Sequence, residues 1–260
     1  MKNYNLNTYY IAEKTKVKVS SFVINILNND AQAFGFIKSN NDSNINGLIN
    51  KLLPTLLEIK KIERARLLEA AKEFNGVDAE KFCNFADILF DSIYFCDAEL
   101  ENLETYIWIR PTENTRAVFD EIIKSELPKA AVELSVYIRR LLNRYVRFPQ
   151  YKREAMVFDS EFEEFCKACI TGHIIHFRYN GEIQSVFAYN YIYGYGYDQR
   201  NYLLGYNIEN KKIFAYPLCE VSKTKVTRNL FKPSKKLIDC LLKYQENCDF
   251  QNAVAFEENN

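Results

Sequence analysis

The order strand, helix, turn, helix occurs twice in this chain, and that repeat limits the fold more than any other feature. The first copy opens with "KVKVSSFVIN", Lys16 to Asn25, a β-branched run that reads as a strand. The short helix "DAQAFGFIK" follows, then the polar turn "SNNDSN", then the helix "INGLINKLLPTLLEIKK". Ile45, Leu48, Ile49, Leu52 and Leu53 stand at helical spacing there, and Pro54 is expected to kink or restart the helix. The second copy opens with "TYIWIR". Thr112 caps the helix "ENTRAVFDEIIKSE", Pro128 marks a turn, and "AAVELSVYIRRLLNRYVRF" completes the unit. Placing Phe119 over Phe34 lays "TYIWIR" over "SSFVIN". A unit this small cannot bury a core alone. The two strands are therefore expected to pair within the chain, with Phe22, Ile24, Ile107 and Ile109 facing inward. Two helices, 61–74 and 78–95, divided at Asn75-Gly76, connect the copies.

Strand–helix–helix units with "YIRRLL" in the second helix resemble ribbon-helix-helix proteins; two unrelated segments of the same order are the alternative. The resemblance implies an antiparallel ribbon over a shared helical core, a ribbon able to enter a nucleic-acid groove.

The stretch "AYNYIYGYGYDQRNYLLGY" raises a separate question, because Tyr189, Tyr191, Tyr193, Tyr195 and Tyr197 fall on every second residue. A strand turns that period into a one-sided stripe. Such a stripe is either the half-wet wall of a sheet or a stacking surface for flat ligands. The helix "SEFEEFCKACITG" precedes it, and turns at Asn180-Gly181 and Glu209-Asn210 divide four or five strands, the pattern of a small antiparallel barrel. The helix, a strand ending in Tyr179, "NYLLGYN" and "PLCEV" are similar to a WYL domain, an SH3-like barrel, over residues 159–230. The namesake triplet reads Asn201, Tyr202, Leu203. The chain departs from the family in Asn201 for tryptophan, in Ala188 for proline, and in Pro217 and Glu220 where arginines are usual. The resemblance implies a ligand surface of Tyr179, Tyr191, Tyr193, Tyr195 and Tyr202.

The expected fold class is therefore α+β. Ribbon-helix-helix-like units at 1–60 and 104–153 flank a helical linker at 61–103. An SH3-like barrel at 154–231 follows, then a C-terminal helix and tail at 232–260. The helix "SKKLIDCLLKYQENC" carries Leu237, Ile238, Leu241 and Leu242 on one face, so it must cover the barrel or meet a partner; a homodimer contact is expected.

Charge decides where a polyanion could sit. Lys+Arg and Asp+Glu both number 34, so any binding must rest on local segregation. From Val136 to Arg153 the chain holds Arg139, Arg140, Arg144, Arg147, Lys152 and Arg153 with no acidic residue, which reads as a phosphate-facing patch. On the ribbon, Tyr106, Trp108 and Arg110 face outward opposite Ser21, Val23 and Asn25. An aromatic pair beside an arginine suits stacking on unpaired bases; the alternative packs Trp108 under the neighbouring barrel.

Other chemistry finds little support. Cys166, Cys169, His173 and His176 lie within "CKACITGHIIH", but three residues between the pairs are too few to close a zinc tetrahedron. No phosphate loop or nucleophile elbow occurs, so neither a cofactor nor an enzymatic activity is expected. Seven cysteines at irregular spacing, no signal peptide and no membrane-spanning run point to the cytoplasm. Ribbon-helix-helix elements followed by a WYL domain resemble the WYL accessory proteins of type VI-D CRISPR systems. That resemblance implies a dimeric single-stranded RNA-binding protein that enhances an RNA-guided ribonuclease. The alternatives are a WYL regulator that binds duplex DNA, and a protein-interaction adaptor with a buried tyrosine stripe.

Overall fold

The structure is a computed structural model that describes residues 14–73, 78–95, 102–130, 132–195, 199–247, 250 and 252–256. It divides into an N-terminal unit, Met1–Phe148, and a C-terminal unit, Pro149–Asn260. The class is mixed α+β.

In the N-terminal unit, strand β1 (Thr15–Ser20) leads directly into helix α1 (Ser21–Ala33). This corrects the strand expected over Lys16–Asn25: "SSFVIN" forms the start of a helix. The cause is Ser20, whose hydroxyl accepts from the Val23 amide at 3.3 Å and caps α1. Beyond it the buried positions become Val23, Leu27 and Ala31, a helical spacing. Helix α2 (Ile45–Lys72) continues through Pro54, which is exposed, so neither a restart there nor the expected break at residue 61 occurs. Helix α3 (Ala79–Phe95) follows. Strand β2 (Leu103–Ile109) then leads to helix α4 (Glu113–Glu121), which continues through a π-helical turn, Ile122–Glu126, and a last α-turn, Leu127–Ala130. Pro128 thus lies within helix. Helix α5 (Leu134–Tyr145) ends the unit.

β1 and β2 pair antiparallel within the chain, Lys16 opposite Trp108, Val17 opposite Ile107 and Lys18 opposite Tyr106. The inward residues of the first strand are therefore Val17 and Val19, both fully buried, and not Phe22 and Ile24. They join Ile107 and Ile109 over a core that includes Leu27, Leu52, Leu53, Ile138 and Leu142. Asn50 of α2 fastens the turn after β2. Its side-chain nitrogen donates to the Arg110 carbonyl at 3.0 Å, and its oxygen accepts from the Thr112 amide at 3.0 Å and from the Thr115 hydroxyl. A buried amide satisfied on both sides holds the end of the ribbon to the helical layer.

The C-terminal unit opens with helices α6 (Gln150–Val157) and α7 (Asp159–Thr171). Strands β3 (His173–Tyr179), β4 (Glu182–Tyr195), β5 (Arg200–Asn207), β6 (Lys212–Pro217) and β7 (Ser222–Leu230) follow, then helix α8 (Lys235–Asn247) and the short strand β8 (Val254–Ala255). The strands form one antiparallel sheet in the order β7-β3-β4-β5-β6-β8. The expected barrel is corrected here: among the described residues no pairing joins the two ends, and the sheet stays open. It is nevertheless curled, since Phe177 and Tyr179 of β3 touch Tyr216 of β6 at ring distances of 4.9 and 5.1 Å although two strands separate them. Gly205 lets β4 and β5 approach closely. A Cβ there would meet Val186 Cγ1 at 2.4 Å and the Phe187 carbonyl at 2.6 Å.

The other face of the sheet is covered by α8. Leu237 and Leu241 are fully buried against Phe187, Leu204, Tyr206, Ile213 and Ala215, with Tyr244, Phe250 and Phe256 completing the cluster. The apolar side of this helix is thus spent within its own chain, except for Leu242, which is 44% exposed. No helix among the described residues is long and apolar enough to cross a membrane.

Candidate nucleic-acid interface

The corrected register puts three lysines beside the aromatic pair. Because Val17 and Val19 point inward, Lys14, Lys16 and Lys18 share the outer face of the ribbon with Tyr106 and Trp108. The ammonium of Lys16 lies 3.7 Å from the Tyr106 ring centroid, and that of Lys14 lies 4.2 Å from the Trp108 centroid. Lys16 also stands 5.4 Å from Trp108, and Lys18 5.7 Å from Tyr106. Both rings are 47% exposed, so neither is core. Arg110 lies exposed just past the strand, its backbone held by Asn46 and Asn50 of α2. The result is a strip of alternating cations and flat rings on a two-stranded scaffold.

The basic run of residues 136–153 looks different in three dimensions. Arg144 is held by both carboxylate oxygens of Glu63 from α2, at 2.7 and 2.6 Å, an acidic partner that lies outside the basic run. Arg139 and Arg140 are half-buried, and burial followed by the charge of Arg140 lowers the affinity of Arg139 for its proton. Arg153 is buried, whereas Arg147 and Lys152 are exposed. The division between units falls within the run, leaving Lys152 and Arg153 in the C-terminal unit.

The tyrosine stripe is split. A bulge between Ala188 and Asn190 makes Tyr189 the extra residue and reverses the side on which later residues lie. Tyr189, Ile192 and Tyr202 therefore pack on the α8 side. Tyr191 instead meets Phe162 of α7 at 4.4 Å and Tyr193 at 4.7 Å, and Tyr193 meets Tyr151 of α6 at 5.8 Å. Tyr179 joins the Phe214–Tyr216 group inside the curl. Thus Tyr179, Tyr191, Tyr193 and Tyr202 do not form one surface. Tyr195 ends β4, and its side chain and all of Tyr197 lie outside the described residues.

Asn201, which stands at the family's tryptophan position, is a fully buried clasp. Its side chain donates to the Tyr151 carbonyl at 2.7 Å and accepts from the Gly194 amide at 3.1 Å, and its own amide donates to Glu154 at 2.8 Å. Glu154 has no exposure, and burial pushes its carboxyl up to about 7 against the opposing pull of the Asn201 amide and the Arg200 charge. Arg200 donates to the Cys219 sulfur at 2.9 Å, and burial pushes that thiol up to about 12. The sequence offered no sign of this cluster beyond the replacement of tryptophan by an amide.

Glu154 gives a pH prediction. Below about pH 4.5 the folded and unfolded chains both hold the proton, and burial costs nothing through ionisation. Between 4.5 and 7 the unfolded chain loses its proton first, so stability falls as pH rises, by up to about 3 kcal/mol in all. Glu154→Gln should remove this fall and be the more stable protein above pH 7. Urea unfolding followed by tyrosine near-UV circular dichroism at several pH values would show it; parallel pH profiles for the two proteins would refute it.

The Cys/His cluster is spread out. Cys166 and Cys169 are half-buried on α7, His173 is half-buried on β3 and His176 is exposed on the same strand. Among the described residues no group of three or more His, Cys, Asp or Glu is placed to hold a metal.

No protein-family model matches the sequence, and no curated protein matches it. The fold, however, is known. A solved structure described as a CRISPR Cas-related protein is similar to this chain with a TM-score of 0.66 over 94% of this chain and 73% of that one. The sequences are 12% identical, so the likeness is one of fold.

Proposed function

We propose that this protein is a non-enzymatic accessory factor of a CRISPR system that binds single-stranded RNA through the outer face of its ribbon. The carrying observation is the alternation of Lys14, Lys16 and Lys18 with Tyr106 and Trp108 on an exposed two-stranded surface. Unpaired bases expose faces that rings can stack on, whereas a duplex hides them. The lysines now lying on the rings do not block this. An exposed cation–π contact is worth roughly 0.5–1 kcal/mol, and a stacked base roughly 1–3 kcal/mol. A base therefore displaces the ammonium, which is then free to meet the adjacent phosphate.

The fold-level likeness to a CRISPR Cas-related protein supports the accessory role. On this reading the N-terminal unit is a ribbon-helix-helix pair and the curled sheet is an SH3-like WYL module. The partner is an RNA-guided ribonuclease of type VI-D, the active species is a homodimer, and the site is cytoplasmic. Competition between an unpaired RNA and a duplex DNA of the same sequence tests the binding claim. RNA should win clearly; preferential duplex binding would replace this reading with that of a DNA-binding regulator.

A further inference from the structure

A second basic run lies in the C-terminal unit. From Val221 to Ile238 the chain carries Lys223, Lys225, Arg228, Lys232, Lys235 and Lys236 and no acidic residue. All six are exposed, unlike most of the cations of residues 136–153. Among the described residues none of the six meets a carboxylate, and only Lys236 is engaged, 5.9 Å from the Phe256 ring centroid. Three of them lie on β7, which ends the sheet. Its neighbour β3 adds two exposed residues, His176 opposite Lys225 and Arg178 opposite Ser222. Opposed residues, and residues two apart on one strand, share a face, so Lys225, His176 and Arg178 stand together. A bulge falls between the two pairs, and Lys223 within it holds φ 54°. Bulges of this kind re-aim side chains at sheet edges. The carboxylates that reach this part of the sheet are occupied. Glu164 accepts from the Val226 amide at 3.1 Å and pairs with Lys167, and Glu209 accepts from the Ser185 hydroxyl at 2.6 Å.

We infer that this edge is a second nucleic-acid surface, one that holds the phosphate backbone and reads no base. An isolated charge and a bulge are enough to stop an open edge from pairing with another strand. Six cations, continuing from the strand into α8, go beyond that need in a chain whose charges otherwise balance. The make-up of the surface selects the partner. Protein interfaces have an apolar core depleted in lysine, whereas nucleic-acid interfaces are polar and strongly positive. On β7, Leu230 at the end of the strand is the one exposed large apolar residue. No aromatic residue stands on β7, so bases have nothing there to stack on, and a single strand and a duplex are held alike. The ribbon, with its exposed rings, tells the two apart; this edge does not. The inference stands on the C-terminal unit alone and goes beyond the ribbon reading.

Fluorescence anisotropy of a labelled duplex DNA, titrated with the full chain at several salt concentrations, tests this. Replacing Lys223, Lys225 and Arg228 together by glutamine should weaken duplex binding at least about tenfold at low salt and flatten its salt dependence by roughly 3 units, at about 0.9 per lost phosphate contact. Glutamine at Lys72, Lys81 and Lys124, exposed residues of the N-terminal unit, removes the same charge and should change neither quantity much. An unchanged tyrosine near-UV spectrum would show the edge variant folded. Lys232→Gln with Lys235→Gln lies outside the sheet and should flatten the slope by roughly 2 units without touching the edge. Quenching of Trp108 by a short single-stranded RNA should persist in all of these proteins, which reads the ribbon separately. No duplex binding by the unmodified protein would overturn the surface and leave the ribbon reading intact. Equal losses in the edge and control variants would do the same, since net charge alone would then explain them. Displacement of the duplex by poly-glutamate at equal charge would also overturn it, in favour of an acidic protein partner.

Discussion

Replacing Leu237 and Leu241 together by alanine should unfold the C-terminal unit. Both side chains are fully buried against the sheet, and each buried Leu→Ala change costs about 2–5 kcal/mol. Neighbours one helical turn apart share a cavity, so the two costs need not add. Even a partial sum rivals the roughly 5–15 kcal/mol by which a whole domain is stable. The chain contains one tryptophan, Trp108, and it lies in the N-terminal unit. Loss of tyrosine near-UV signal with retained Trp108 emission would therefore locate the damage. Leu242→Ala, at a 44% exposed position on the same helix, should cost well under 1 kcal/mol and serves as the control. If the double variant unfolds like the unmodified protein, the helix does not hold the sheet, and its leucines are free to meet a second copy, as the sequence pattern first suggested.

How far the sequence was legible depended on parity. The repeated strand–helix–helix order, the inward Ile107 and Ile109 and the outward Tyr106 and Trp108 could all be read from "TYIWIR", because that strand ends cleanly before Thr112. The first strand ends at Ser20, an N-cap inside a run of β-branched residues, and extending it to Asn25 made Phe22 and Ile24 the inward pair. Since strand faces alternate, that choice also turned Lys16 and Lys18 inward and hid half of the candidate site. A single bulge at Tyr189 did the same to the tyrosine stripe. The change from period two to the helical spacing of Val23, Leu27 and Ala31 was the available signal for the first error. For the second there was none in the alternating tyrosines themselves. The Glu63–Arg144 pair lies 81 residues apart in sequence, beyond the reach of any local reading of charge.

The ribbon itself should fail in two distinguishable ways. Alanine at Lys14, Lys16 and Lys18 together should weaken binding to every single-stranded RNA and flatten its salt dependence by about 2 units, since each phosphate contact on a single strand contributes roughly 0.7. Trp108→Ala should cost roughly 1–3 kcal/mol on unpaired RNA and leave the salt slope unchanged, because stacking releases no counterions. The unmodified protein should also show quenching of its Trp108 emission as RNA is added. Duplex DNA, with its base faces hidden, should bind the Trp108→Ala protein almost as it binds the original. Lys14, Lys16 and Trp108 are exposed and Lys18 half-buried, and the inner face of Val17, Val19, Ile107 and Ile109 is untouched, so these proteins should fold. Arg144→Ala separates this surface from the basic run. Its guanidinium is already engaged by Glu63, so its loss should reduce stability more than it reduces RNA affinity. RNA affinity that survives the three-lysine change but collapses with Arg144 would move the interface from the ribbon to the helices beneath it.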